Sequence, residues 1–223
     1  MSARNALIVW GGWEGHQPEQ CAAIVEKFLI EDGFVVARDN RTSAFADPEL
    51  VRYDLIIPIY TMGNIADAEV KNLCAAIESG VGLAGYHGGM GDSFRASTDY
   101  QFMTGGQWVA HPGNIISYQV NIIDRSDPIT EGIDDFQYES EQYYMHVDPS
   151  NHVLATTTFS GEYCSWIKGV QMPVAWKRMH GRGKVFYSSL GHLPSEFAVH
   201  EMATLFRRGM LWAARQRSPE SNV

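Results

Sequence analysis

Three apolar runs that do not alternate with polar residues constrain this chain more than any other feature: Asn5 to Trp10, Tyr53 to Tyr60 (YDLIIPIY) and Val81 to Tyr86. A strand with one wet face alternates in hydropathy, so continuous runs of this length suit strands covered on both faces, as in a parallel sheet. The segments between them have helical spacing. Cys21, Ile24, Val25, Phe28 and Leu29 share a face after Pro18, and Val70, Leu73, Cys74 and Ile77 share one between about Asp67 and Ser79, with Gly33 and Gly80 as stops. Phe34 to Ala37 supplies a further short strand. Alternating strands and helices with short connections specify right-handed crossovers and a doubly wound parallel sheet, an α/β fold in three layers.

After Gly89 the pattern loosens, and residues 90–165 read as an irregular insertion beside the main sheet, with Ile115 to Ile123 as an exposed strand and DPITEG (127–132) as a turn. Regular structure returns at Pro173 to Trp176, at a last strand from Gly183 to Leu190, and at a final helix from about Pro194 to Ala214. A chain of 223 residues suits one domain, here 1–216, with 217–223 as a loose tail.

A net charge of −9 argues against nucleic acid or an anionic membrane as the main partner. Arg207, Arg208, Arg215 and Arg217 form the one basic cluster and are expected to favour the C-terminal end of the last helix. No apolar run reaches the roughly 20 residues of a membrane span, and the first residues lack the pattern of a signal peptide, so a cytoplasmic location is expected. Cys21, Cys74 and Cys164 are widely spaced and odd in number, which suggests buried thiols rather than disulfides or a cysteine zinc site.

In open α/β sheets ligands bind beyond the carboxyl ends of the strands. Those positions here are GGWEGH, with Trp13, Glu14 and His16; LAGYHGG, with His87; and Gly191–His192. His111 and His146 lie in the irregular part, while His152, His180 and His200 read as surface residues. A lone histidine is more often a hydrogen-bonded loop or core residue than a ligand, but three at one sheet edge offer a proton relay or a metal site. Gly85–Gly89 has the outline of a nucleophile elbow, with His87 where a serine or cysteine would stand. Imidazole there fits a general base or a ligand better than a covalent nucleophile. Glu141 and Tyr143, two apart in ESEQYYMH, share a face if that segment is extended; the alternative is a solvated acidic loop with Glu139 and Asp148.

Seven stretches in order, VWGGWEGH, YDLIIPIY, GLAGYHGG, GGQWVAHPG, DPITEGI, ESEQYYMH and PVAWKRMHGRGKVFYSSLGH, resemble the ThuA-like, or trehalose-utilization, proteins. These share the flavodoxin-like fold of class I glutamine amidotransferases without the catalytic cysteine. The resemblance implies a bacterial sugar-catabolic role on disaccharides handled as 3-keto derivatives. It also implies a small-molecule sugar as ligand, a sugar dehydrogenase in the same pathway, and no nucleotide cofactor.

Matched by position, the pocket residues are His16, His87, His111, Glu141, Tyr143 and His192, of which His87, Glu141 and His192 are the expected catalytic residues and His16, His111 and Tyr143 expected substrate contacts. Trp13 and Tyr86 are expected to join Tyr143 as walls on which a sugar ring packs. His16, His87 and His192 are the candidate ligands of a divalent metal, Zn or Mn; a metal-free pair of His87 and Glu141 is the other arrangement. Either would enolise a keto sugar, leading to isomerisation or to elimination of the glycosidic oxygen. The alternative from another class is a non-catalytic carbohydrate-binding protein on an amidotransferase scaffold. The surplus of aromatics suggests a homo-oligomer.

Overall fold

The first strand, β1 (Arg4–Gly12), sends Ala6 and Ile8 to one face of the sheet and Leu7 and Val9 to the other, and all four are buried. This is why its sequence does not alternate. It belongs to a computed structural model that describes residues 3–216. There follow α1 (Pro18–Glu31), β2 (Phe34–Asp39), β3 (Leu55–Thr61), α2 (Asp67–Glu78), β4 (Gly82–Tyr86) and the short α3 (His87–Gly91). The chain continues through α4 (Thr98–Thr104), β5 (Gly106–Ala110), β6 (Ile115–Ile122), β7 (Phe136–Glu141), β8 (Tyr144–Val147) and β9 (His152–Thr158). It ends with β10 (Gln171–His180), β11 (Gly183–Ser188) and α5 (His200–Ala213).

Nine strands form one sheet in the order β2-β1-β3-β4-β11-β10-β9-β6-β7. The half from β2 to β11 is parallel, and every pair from β11 onward is antiparallel. Helices α1 and α5 cover one face of the parallel half through Cys21, Val25, Leu29, Met202, Leu205 and Phe206, and α2 covers the other through Val70, Leu73 and Ile77.

Residues 90–165 are therefore not an irregular insertion. They supply three strands of the main sheet, β6, β7 and β9, and the separate ribbon of β5 with β8. The sheet is mixed, because the chain returns by hairpin-like connections after β4 and antiparallel pairing needs no crossover helix. The final helical segment is also divided: a 3₁₀ turn at Pro194–Ala198 precedes α5.

The arginines do something other than stabilise a helix end. Arg207 binds Asp32 through two nitrogens (2.7 and 2.9 Å), Arg208 donates to the Ile129 and Glu131 carbonyls, and Arg215 binds Asp54 and the carbonyls of Val51 and Tyr53. They tie α5 to distant segments. Arg217 and the proposed tail lie outside the described residues. His180 is buried at the end of β10, 3.4 Å from Glu78, rather than on the surface. Cys21 is buried, Cys74 and Cys164 half-buried, and all three are free thiols. No helix among the described residues is long and apolar enough to cross a membrane.

Helix α5 packs so closely on β4 that a Cβ on Gly82 would stand 2.1 Å from the Ala213 carbonyl oxygen. Backbone cannot yield as a side-chain tip can, so Gly82→Ala should destabilise the fold by about 3 kcal/mol, the upper end of overpacking costs. Urea denaturation measures this; a loss below about 0.5 kcal/mol would mean that α5 slides freely on the sheet.

Candidate functional site

The carboxyl ends of the parallel strands converge as the sequence suggests. Behind β1 a one-turn 3₁₀ segment, Glu14–His16, delivers His16; β3 ends at Thr61; β4 ends into His87; and Ser189 and His192 follow β11. His87 has φ +44°, a left-handed conformation that a residue without a special role rarely holds. Strand, strained residue and helix make the turn an elbow in geometry. Gly88 is required beside it, since a Cβ there would lie 2.7 Å from the His16 ring and 3.0 Å from the Thr61 methyl.

Glu141 arrives from the opposite half of the sheet. On edge strand β7 the side chains of Gln137 and Glu139 point to solvent, and Glu141 shares their face by alternation. It is nevertheless buried, 8 % exposed, because His87, His111 and His192 close over it. Its Oε2 lies 3.2 Å from His87 Nε2 and 3.4 Å from His192 Nδ1, and those two nitrogens are 3.3 Å apart. Oε1 faces His111 Nε2 at 3.7 Å. The His16 ring completes the group, with its centroid 4.9 Å from that of His87 and 4.8 Å from that of His192. One ligand atom from each of His16, His87, Glu141 and His192 falls within a 4.8 Å cluster.

Outer partners fix the rings. His87 Nδ1 stands 2.8 Å from the Ser189 carbonyl oxygen, which only accepts, so Nδ1 carries a proton and donates it. His16 Nδ1 pairs with the Thr61 hydroxyl at 2.7 Å. Tyr143 stacks on His87 with centroids 4.2 Å apart.

Burial holds the His16 pKa down to about 3, and the neighbouring His87 and His192 push it in the same direction. Burial acts to raise the pKa of Glu141, but hydrogen bonds with His192 and His87 outweigh it and keep the carboxyl well below its ordinary range. Burial, with Tyr187 and Glu141 nearby, raises the Tyr143 phenol far above its ordinary value. The site thus presents neutral His16, ionised Glu141 and a protonated Tyr143.

The structure brings together His16, His87, His111, Glu141, Tyr143 and His192. Trp13 sits at the rim, 46 % exposed and edge-on to His16 at 4.7 Å. Tyr86 lies behind them: its ring packs in the core against Phe197 and Phe206, and it shares with His16 and His87 only a small buried cavity. His146 and His152 are exposed, and His152 pairs instead with Asp124 at 2.7 Å. Sequence reasoning missed Thr61, Ser189 and Trp108. The first two follow strands β3 and β11, so the strand-end rule could have found them. Trp108 stacks against His111 at 5.4 Å and beneath the Arg95 guanidinium, a contact with no local signal.

Fold and site together define an α/β protein with a buried histidine–carboxylate cluster at the carboxyl edge of its parallel strands. Residues 5–213 match the family model ThuA, described as trehalose utilisation, and the chain belongs to that family. Among solved structures it is similar to a putative ThuA-like protein of Bacteroides uniformis (TM-score 0.76, 20 % identity, 94 % of this chain and 91 % of that one). It is also similar to one of Parabacteroides merdae (0.78, 15 %, 98 % and 94 %). A β-galactosidase of Rahnella sp. R3 matches with TM-score 0.57 and 16 % identity over 96 % of this chain and 32 % of that longer one. At these identities the likenesses speak to fold. No curated protein matches by sequence.

The neutral His16 has a consequence for metal-free protein. Its folded pKa lies below the unfolded value of 6.5, so the unfolded chain binds the extra proton between about pH 6.5 and 3. The stability it contributes is complete above pH 6.5 and is lost as pH falls through that window. Glu141 has the same sign below its ordinary 4.5. In chelator-treated protein, His16→Asn should flatten the fall of unfolding free energy just below pH 6.5. Identical slopes in urea titrations would mean that His16 takes up its proton equally in the folded and unfolded chain.

Proposed function

We propose that the chain is a sugar-processing enzyme of the trehalose-utilisation type. It acts on a keto derivative of a disaccharide or glucoside, with a divalent cation held by His16, His87, Glu141 and His192. The observation that carries this reading is the triangle of His87 Nε2, His192 Nδ1 and Glu141 Oε2, with edges of 3.2, 3.3 and 3.4 Å. Tetrahedral coordination with bonds of about 2.0–2.1 Å separates its donor atoms by about 3.3–3.4 Å. Three imidazoles and a carboxylate suit zinc or manganese. The Ser189 carbonyl and the Thr61 hydroxyl behind His87 and His16 are the kind of partners that orient ligating imidazoles.

A bound cation would polarise a carbonyl oxygen and acidify the neighbouring C–H. His87, 1 % exposed and covered by Tyr143, holds the cluster rather than meeting the substrate. Glu141 Oε1 and His111 Nε2 face the more open side and take the proton. The C–H bond breaks, its proton passes to this pair, and the electron pair moves onto the carbonyl oxygen. Transfer of the adjacent hydroxyl's proton to the former carbonyl oxygen, with return of the first proton to the former carbonyl carbon, makes the new carbonyl and completes an isomerisation. Expulsion of the glycosidic oxygen, protonated by the same pair as the carbonyl re-forms, completes an elimination. Trp13 offers the rim surface on which a sugar ring packs. The substrate carbonyl requires prior oxidation of a sugar hydroxyl, the work of a sugar dehydrogenase.

Elemental analysis of untagged protein, paired with turnover of a 3-keto disaccharide before and after chelation, tests the reading. About one zinc or manganese per chain is expected, with turnover abolished by chelation and restored by the ion. His87→Ala should lower turnover by at least about 100-fold while the fold persists. Metal-free protein with full turnover would leave Glu141 and His111 as an acid/base pair without a cation; sugar binding without turnover would favour a carbohydrate-binding protein.

A further inference from the structure

We infer that Glu196 is a positioning residue for this site: it staples the loop carrying His192 to the strand carrying Glu141, and so sets the separation of two of the proposed ligands. The inference rests on the metal reading above. Glu196 lies in the 3₁₀ turn Pro194–Ala198. Its carboxylate receives the Ser140 hydroxyl at 3.1 Å from each oxygen, the backbone N–H of His192 at 3.0 Å, and the Tyr138 hydroxyl. The Tyr138 oxygen in turn accepts the N–H of Gly191 at 3.1 Å. Both peptide groups leading into His192 are thereby referred to β7.

The geometry of β7 explains why this matters for Glu141. Tyr138 and Ser140 are two residues apart and share the face that meets Glu196, while Glu141, next in sequence, projects to the opposite face and into the histidine cluster. A shift of the 191–196 loop along the strand would therefore change the distance from His192 Nδ1 to Glu141 Oε2, now 3.4 Å, without disturbing either residue's own strand or turn. Glu196 touches none of the reacting positions. Its partners Ser140 and Tyr138 are almost fully buried, so water does not replace it as their acceptor. Outer partners of ligands act on affinity through position, and their removal costs about 10- to 100-fold.

The test is zinc affinity of the full chain, measured by competition with a chromophoric chelator, for wild type, Glu196→Ala, Glu196→Gln and Tyr138→Phe. Circular dichroism confirms that each is folded. Glu196→Ala removes the acceptor for all three donors and should weaken zinc binding about 10- to 100-fold. Glu196→Gln keeps an amide oxygen where the carboxylate receives His192 and Tyr138, and should recover most of the loss. Tyr138→Phe keeps the ring and deletes only the hydroxyl, and should weaken binding in the same direction; it decides the matter if the alanine variant does not fold. Wild-type affinity in the folded variants overturns the inference alone. Equal losses in Glu196→Ala and Glu196→Gln also overturn it, because they assign the effect to charge rather than position. A wild-type chain that binds no zinc overturns the metal reading and this inference with it.

Discussion

A carboxylate taken out of water needs partners, and Glu141 finds three imidazoles: His87, His111 and His192. Burying an ion of this kind without compensation costs several kcal/mol even after relaxation, so the arrangement around it has to be complete or absent. The rest of the molecule is organised to complete it. Parallel strands bring His16, His87 and His192 to one edge, the antiparallel half returns Glu141 to that edge, and the β5–β8 ribbon lays His111 and Trp108 across the opening.

The elbow at His87 shows how one local geometry serves different chemistry. Strand, strained residue and short helix present a side chain rigidly, and in a hydrolase that side chain is a nucleophile. Here an imidazole occupies the position, one nitrogen tied to Ser189 and the other directed at Glu141. The rigid presentation is the same, and the side chain it presents is part of a histidine–carboxylate cluster. The likeness in fold to a β-galactosidase fits the same principle: a scaffold constrains where a site can form and leaves its chemistry to the residues placed there.

Much of the parallel half was legible in the sequence. Its strands are apolar throughout because both faces are covered, and helices α1 and α2 fall where their apolar spacing and glycine stops put them. The antiparallel half was not legible as part of the sheet. Strands such as β6 and β7 have one wet face and pair by hairpins, so their weak alternation does not reveal which sheet they join. Tyr86 precedes the elbow in sequence, and its ring packs on Phe197 and Phe206 in the core, a placement that the strand-end rule does not reveal.

By itself the sequence determined that an α/β sheet would present histidines 16, 87 and 192 at one edge, because strand ends and glycine turns are set by local hydropathy and backbone freedom. Only the tertiary structure decided that these histidines touch, that Glu141 rather than Glu139 is the buried carboxylate, and that Ser189 and Thr61 fix the rings. Those facts depend on contacts between residues separated by dozens of positions, and on which edge strand closes over which loop. No local pattern in the chain encodes a separation of 3.2 Å between residues 87 and 141.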